Sequence, residues 1–216
     1  MNRIPLLACL LLSLLLTACG DGLEAVEETD ALGFRNEFKI DPETGLKQGE
    51  YRQYDPQGRL LSTEFYLDDQ LQGERTIYHP NGQPDVIEHY ERNEFVGTYQ
   101  HYDSLGTLRL EGSYLEGAMN KAWTRYYANG SIRSSVTFVD NEENGPFREW
   151  YDNGNPRMSG NHLDGDNIHG TLHRYDSISG TLNRVLACEY GRCRTTWTPD
   201  STHTPPPGAD MTRPAR

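Results

Sequence analysis

Aromatic and aliphatic residues return along this chain with a period of 24 positions. A glycine opens each unit at Gly49, Gly73, Gly97 and Gly145; Lys121 holds that place in the fourth unit, and Gly170 opens a sixth one residue late. A second glycine follows nine residues on, at Gly58, Gly82, Gly106, Gly130 and Gly154, with Gly180 after a short insertion. A fixed period of this length marks an array of one supersecondary unit, each copy covering part of its neighbour.

Two short strands and a tight turn make up the unit. The turns are Asp55-Pro56-Gln57-Gly58, His79-Pro80-Asn81-Gly82, Asp103-Ser104-Leu105-Gly106, Tyr127-Ala128-Asn129-Gly130 and Tyr151-Asp152-Asn153-Gly154. Asp first, Pro second and Gly fourth suit a type I turn closed by a left-handed residue, which is a hairpin with a glycine bulge. That geometry sets Tyr54 opposite Leu60, Tyr78 opposite Pro84, Tyr102 opposite Leu108, Tyr126 opposite Ile132, Trp150 opposite Pro156 and Tyr175 opposite Leu182. Large rings facing aliphatic residues are favourable cross-strand pairs, so this column is assigned a structural role. The fold expected is all-β: an elongated, twisted antiparallel β-meander of about six 24-residue hairpins and roughly 12 strands, on the order of 55 Å long at ~4.8 Å per strand.

Two further columns bear on function. Tyr66, Tyr90, Tyr114 and Phe138 stand at even spacing from Leu60 and its equivalents, which predicts the same face. Tyr51, Tyr99, Trp123 and Phe147, a series broken by Arg75, lie three residues before the structural column and so on the opposite face. A single sheet with rings on both faces either curls to bury the second set or exposes it as a strip for a partner. On the second reading Tyr51, Tyr99, Trp123 and Phe147 are the candidate partner-binding residues.

The ends differ from the array. Residues 1–18 carry Arg3, an apolar run from Leu6 to Leu16 too short to span a bilayer, and small residues before Cys19, the pattern of an export signal. Residues 19–33, with Glu24, Glu27, Glu28 and Asp30, read as an acidic tether. The repeat domain is assigned to residues 34–197, with Phe38-Lys39-Ile40 as an incomplete first strand in an atypical capping unit. Residues 198–216, with Pro199, Pro205, Pro206, Pro207 and Pro214, read as a disordered tail.

Charge and cysteine usage narrow the function. With 20 basic and 32 acidic side chains the net charge is −12, and mean hydropathy is −0.76. Such a chain repels nucleic acid and anionic headgroups, and it can steer a basic partner. Cys9 falls within the leader; Cys188 and Cys193 flank a four-residue turn and, in an exported protein, are expected to form a disulfide that staples the last hairpin.

Catalytic chemistry finds little footing. Ser159-Gly160-Asn161-His162 spells the name of a hydrolase class whose letters sit in separate blocks, so the contiguous run carries no information. The loops starting at Asp140 and Asp164 have Tyr151 and Tyr175 where a calcium loop needs a bidentate Glu, and they read as turns between repeats. His162, His169 and His173 could converge on a metal, but histidines in a solvated sheet are more often structural, and no nucleophile elbow, phosphate loop or H-E-x-x-H occurs. The chain is expected to be no enzyme and to need no cofactor or metal.

Ala122-Trp123-Thr124-Arg125-Tyr126-Tyr127-Ala128-Asn129-Gly130 and the segment from Gly145 to Gly154 resemble the variant MORN repeat of YwqK-type proteins. Leu16-Thr17-Ala18-Cys19 resembles the bacterial lipobox, which implies lipid attachment at Cys19; Gly20 after it favours the outer membrane, facing the periplasm. Together these resemblances imply an envelope lipoprotein that acts as an immunity protein, or antitoxin. It would bind a protein toxin such as a phospholipase or wall hydrolase delivered by a type VI-like system. The alternative is a scaffold lipoprotein that organises contacts in the envelope.

Overall fold

In the computed structural model the chain is described over residues 22–204, 207–208 and 211. The expected leader and the lipid-attachment residue Cys19 lie outside these described residues.

Before the first repeat come β1 (Glu24–Thr29) and β2 (Arg35–Ile40). The first repeat is β3 (Gly49–Tyr54) with β4 (Leu60–Leu67). The second is β5 (Gln70–Leu71) and β6 (Gly73–Tyr78) with β7 (Pro84–Glu91); the third is β8 (Glu94–Phe95) and β9 (Gly97–Tyr102) with β10 (Leu108–Leu115). Then follow β11 (Ala118–Tyr126) with β12 (Ile132–Val139), β13 (Glu142–Trp150) with β14 (Pro156–Leu163), and β15 (Asn167–Tyr175) with β16 (Leu182–Glu189). A last strand, β17 (Arg192–Trp197), pairs with β16. All pairings are antiparallel, and the 17 strands form one open meander. Because β5 and β6 share the neighbour β4, and β8 and β9 share β7, each pair is one strand interrupted at a single residue, Gln72 or Val96. The twelve strands expected are therefore those of the repeats, and β1, β2 and β17 extend the sheet at its two ends. Glu24–Thr29, expected as part of a tether, is instead a strand whose Val26 stands opposite Phe38. Pairing with β2 gives its backbone groups partners that a solvated tether would have to find in water.

The hairpin register is the one the turn chemistry requires. Tyr54 faces Leu60, Tyr78 Pro84, Tyr102 Leu108, Tyr126 Ile132, Trp150 Pro156 and Tyr175 Leu182. The register shifts by one residue at each of these pairs, as a glycine-bulge hairpin demands. Gly58, at φ 77°, donates its N–H to Asp55 O at 2.9 Å.

At the other end of the strands most connections are two-residue turns with both residues left-handed, such as Arg92-Asn93 (φ 51° and 68°) and Asp140-Asn141 (φ 49° and 70°), while Leu163 and Asn167 close over three residues. These are type I′ turns, whose twist matches that of the strands. They also lock each repeat to the one before. Asn93 Oδ1 accepts the Leu71 N–H and Asn141 Oδ1 accepts the Met119 N–H, both at 2.8 Å. The segment beginning at Asp140 is thus a structural turn that staples neighbouring repeats.

One column changes face. The tyrosine column with Leu108 and Ile132 lies on one side, hereafter the ladder face, where Tyr126, Ile132 and Trp150 form a buried cluster. Tyr66, Tyr114, Phe138 and His162 lie on the other, the seam face: their rings meet those of Tyr51, Tyr99, Trp123 and Phe147 at 5.7, 6.1, 6.1 and 4.4 Å. The expectation that Tyr66 and its equivalents share a face with Leu60 is wrong. The bulge at Leu61 inserts an extra residue, so even spacing across it crosses the sheet.

At the far end of the chain Met211, within the segment expected to be disordered, packs against the Tyr126–Trp150 cluster, and Trp197 Nε1 donates to His203 O at 3.2 Å. Among the described residues no helix is long and apolar enough to cross a membrane.

Candidate interaction surfaces

The seam face is built by aromatic residues near the start of four of the hairpins, lying over neighbouring strands. Trp123 is 5% exposed and Phe147 2%, whereas Tyr51 and Tyr99 are half-buried. Trp123 and Phe147 are therefore interior, not an exposed strip. The reason is cross-strand glycine. A Cβ at Gly112 would stand 2.1 Å from the Trp123 indole, and one at Gly160 would stand 2.9 Å from the Phe147 ring. Missing side chains on the strand before and the strand after let the two rings settle flat onto backbone. Beyond them Leu172, Leu186 and Cys188 continue the same core. Burial holds the Tyr51, Tyr99 and Tyr114 hydroxyls above the usual phenol range.

Where Arg75 breaks the column, the seam turns polar. Arg75 sits between Glu64 and Glu88, with Nε 3.0 Å from Glu64 Oε1 and Nη1 3.2 Å from Glu88 Oε1. The Tyr66 hydroxyl donates to Glu64 at 2.7 Å and the Tyr90 hydroxyl to Glu88 at 3.2 Å. Glu88 is only 5% exposed. Burial first, then the Glu64 hydrogen bond and charge, push the Tyr66 hydroxyl far upward. Arg75 would be lowered by burial, but Tyr90 and the two carboxylates outweigh that and raise it. This network escaped the sequence reading, although Glu64 and Glu88 repeat at 24 residues in the column that holds Gly112, Val136 and Gly160.

On the ladder face the ring hydroxyls are tied down. Tyr54 donates to Glu37 at 3.1 Å under the Arg35 guanidinium, Tyr78 pairs with Thr63 at 3.3 Å, and Tyr126 donates to Glu111. Trp150 is 1% exposed. Tyr102 and Tyr175 hold the same column, Tyr175 buried at 8%. The six residues assigned to structure thus occupy one continuous row.

The residues that invited a catalytic or metal reading do not converge. Register places Ser159 opposite His173 on the ladder face, with its Oγ buried and unbonded, while His162 lies on the seam face against Phe147 and 2.9 Å from Glu143. Cys188 and Cys193, directly opposed in β16 and β17, are joined by a disulfide. Among the described residues no group of three or more His, Cys, Asp or Glu could hold a metal ion.

Charge is unevenly spread along the sheet. Residues 22–117 carry 20 acidic and 8 basic side chains, a net of −12, whereas residues 118–216 carry 11 of each. The excess negative charge thus belongs to the first three repeats and the strands before them.

Fold and surfaces define a class: a single-layer array of antiparallel β-hairpins with an aromatic column along each face and two open edges. Within it, residues 47–68, 71–92 and 119–140 match the MORN repeat variant family, and each match spans one hairpin. No curated protein matches the chain. Among solved structures, the GtfA/B complex bound to UDP and GlcNAc is similar over 54% of this chain and 22% of that one, at 17% identity and a TM-score of 0.24. A likeness that slight carries no argument about function.

Proposed function

We infer that this chain is a binding protein of the cell envelope that neutralises a basic protein toxin by occupying it, without chemistry of its own. Separation of charge carries the reading: the sheet presents 20 acidic side chains against 8 basic ones over its first three repeats and the strands before them. Such a field speeds the encounter with a positively charged partner and excludes acidic ones. The variant MORN repeats suit an interaction role, and the lipobox-like Leu16-Thr17-Ala18-Cys19 would hold the protein at the membrane where such a toxin acts. With Trp123 and Phe147 buried, the contact surface is assigned to the acidic outer positions of the first three repeats.

The test is direct. The protein should bind the toxin encoded beside its gene, inhibit it at equal stoichiometry, and associate more slowly as salt rises from about 20 to 500 mM. Cells whose copy keeps its export signal should survive toxin sent to the periplasm, and cells with a leaderless copy should not. Absence of binding, or full protection by the leaderless form, contradicts the proposal.

A further inference from the structure

The sheet has two open edges, and their charges are opposite. β1 pairs only with β2, and β17 only with β16, among the described residues. Each edge strand is six residues long, and five of the six are exposed in both. β1 reads Glu-Ala-Val-Glu-Glu-Thr and β17 reads Arg-Cys-Arg-Thr-Thr-Trp. An exposed edge is a row of unpaired N–H and C=O groups ready to take another strand.

Charge on an edge ordinarily blocks pairing, and here it blocks like with like. β1 against β1 sets glutamates on glutamates, and β17 against β17 sets arginines on arginines. β17 against β1 of a second copy sets Arg192 and Arg194 on the face that carries Glu27. The register makes this contact possible on a single face. Glu27 stands opposite Glu37, the acceptor of the Tyr54 hydroxyl, and so lies on the ladder face. Arg192 and Arg194 flank Cys193, which faces the seam-side Cys188, so they too lie on the ladder face. Strand direction agrees: with β5–β6 and β8–β9 each counted once, β1 and β17 run the same way. A second copy with the same face up then continues the sheet by a parallel pairing. The uneven charge along the chain acts in the same sense, since the acidic half of one copy follows the neutral half of the last.

We propose that copies of this chain associate head to tail, the β17 edge of one on the β1 edge of the next. The contact is heterologous and does not close on itself, so it builds open arrays rather than a dimer. It does not depend on the toxin reading.

The test uses the full chain with Ala25→Cys and Arg192→Cys, which share the face of Glu27 and Arg194, separately and together, run on non-reducing gels after mild oxidation in cells. The double variant should give a ladder beyond the dimer, and either single variant should stay monomeric. Two charge variants guard against an artefact of the new thiols. In the chain with both cysteines, Arg194→Glu should abolish the ladder, and adding Glu27→Lys, on the same face, should restore it. No ladder from the double cysteine chain overturns the proposal. So do dimers from either single variant, which mean like-edge pairing, and a ladder indifferent to charge reversal.

Discussion

Asp55, Asp103 and Asp176 hold the same turn position in alternate styles of one hairpin. Asp55 Oδ1 accepts the N–H groups of Gln57 and Arg59 at 2.9 Å, and Asp103 Oδ1 those of Leu105 and Thr107 at 3.0 Å. For Asp103 the Thr107 N–H and for Asp176 the Ser179 N–H are the main causes that hold the carboxyl below its usual range. For Asp55 burial pushes upward, but bonds from Arg59 and Gln57 prevail and the result is again downward. A carboxyl with a folded pKa below its unfolded value stabilises the fold above the unfolded value, near 3.9, and loses that contribution as pH falls through the lowered one. Melting temperature should therefore drop as pH falls below about 4. Replacing all three by Asn keeps the acceptor oxygen, as Asn129 does toward Ser131, and should flatten that drop. An acid slope equal to wild type would assign the loss to other carboxylates.

At the scale of the element, the hairpin was legible and the faces were only partly so. Asp, Pro, Asn and Gly at fixed places name the turn, and the turn fixes the register, so the six facing pairs could be read directly. The bulge that the same turn creates reverses parity one residue later, and counting by twos from Leu60 therefore misplaced Tyr66 and its equivalents. Burial of the second ring column depends on what lies across the strand, and the cross-strand partners of Tyr99 and Phe147 are Gly112 and Gly160. Isolated glycines inside strands signal a close approach, and reading them so would have favoured the buried alternative. Glu24–Thr29 was hidden because its exposed glutamates look like a tether. Two substitutions test the seam. Trp123→Ala should cost about 3–5 kcal/mol as the loss of a buried ring. Gly112→Ala should cost about 1–3 kcal/mol by overpacking against that ring. Chemical denaturation measures both; a Gly112→Ala midpoint equal to wild type would mean that the indole does not lie on that strand.

As a whole, the molecule is a stack of hairpins tied by hydrogen bonds at both ends. At the glycine turns, Asn81 Nδ2 reaches Ser104 O at 2.7 Å and Asn153 Nδ2 reaches Ser177 O at 2.8 Å. At the type I′ turns, Asn93 and Asn141 reach back to the preceding repeat. Repeats joined in this way behave as nearest neighbours in a line, so the sheet can carry one kind of charge at one end without straining the other. The central claim is that this acidic end captures the partner. The deciding measurement is the association rate of the neighbouring toxin with two charge-reversed variants at low salt. Glu50→Lys with Glu74→Lys and Glu94→Lys, all exposed in the first three repeats, should slow association at least about tenfold. Glu142→Lys with Asp166→Lys and Asp200→Lys, exposed in the neutral half, should change it by no more than about twofold. Equal slowing by both sets, or none by the first, would contradict the account.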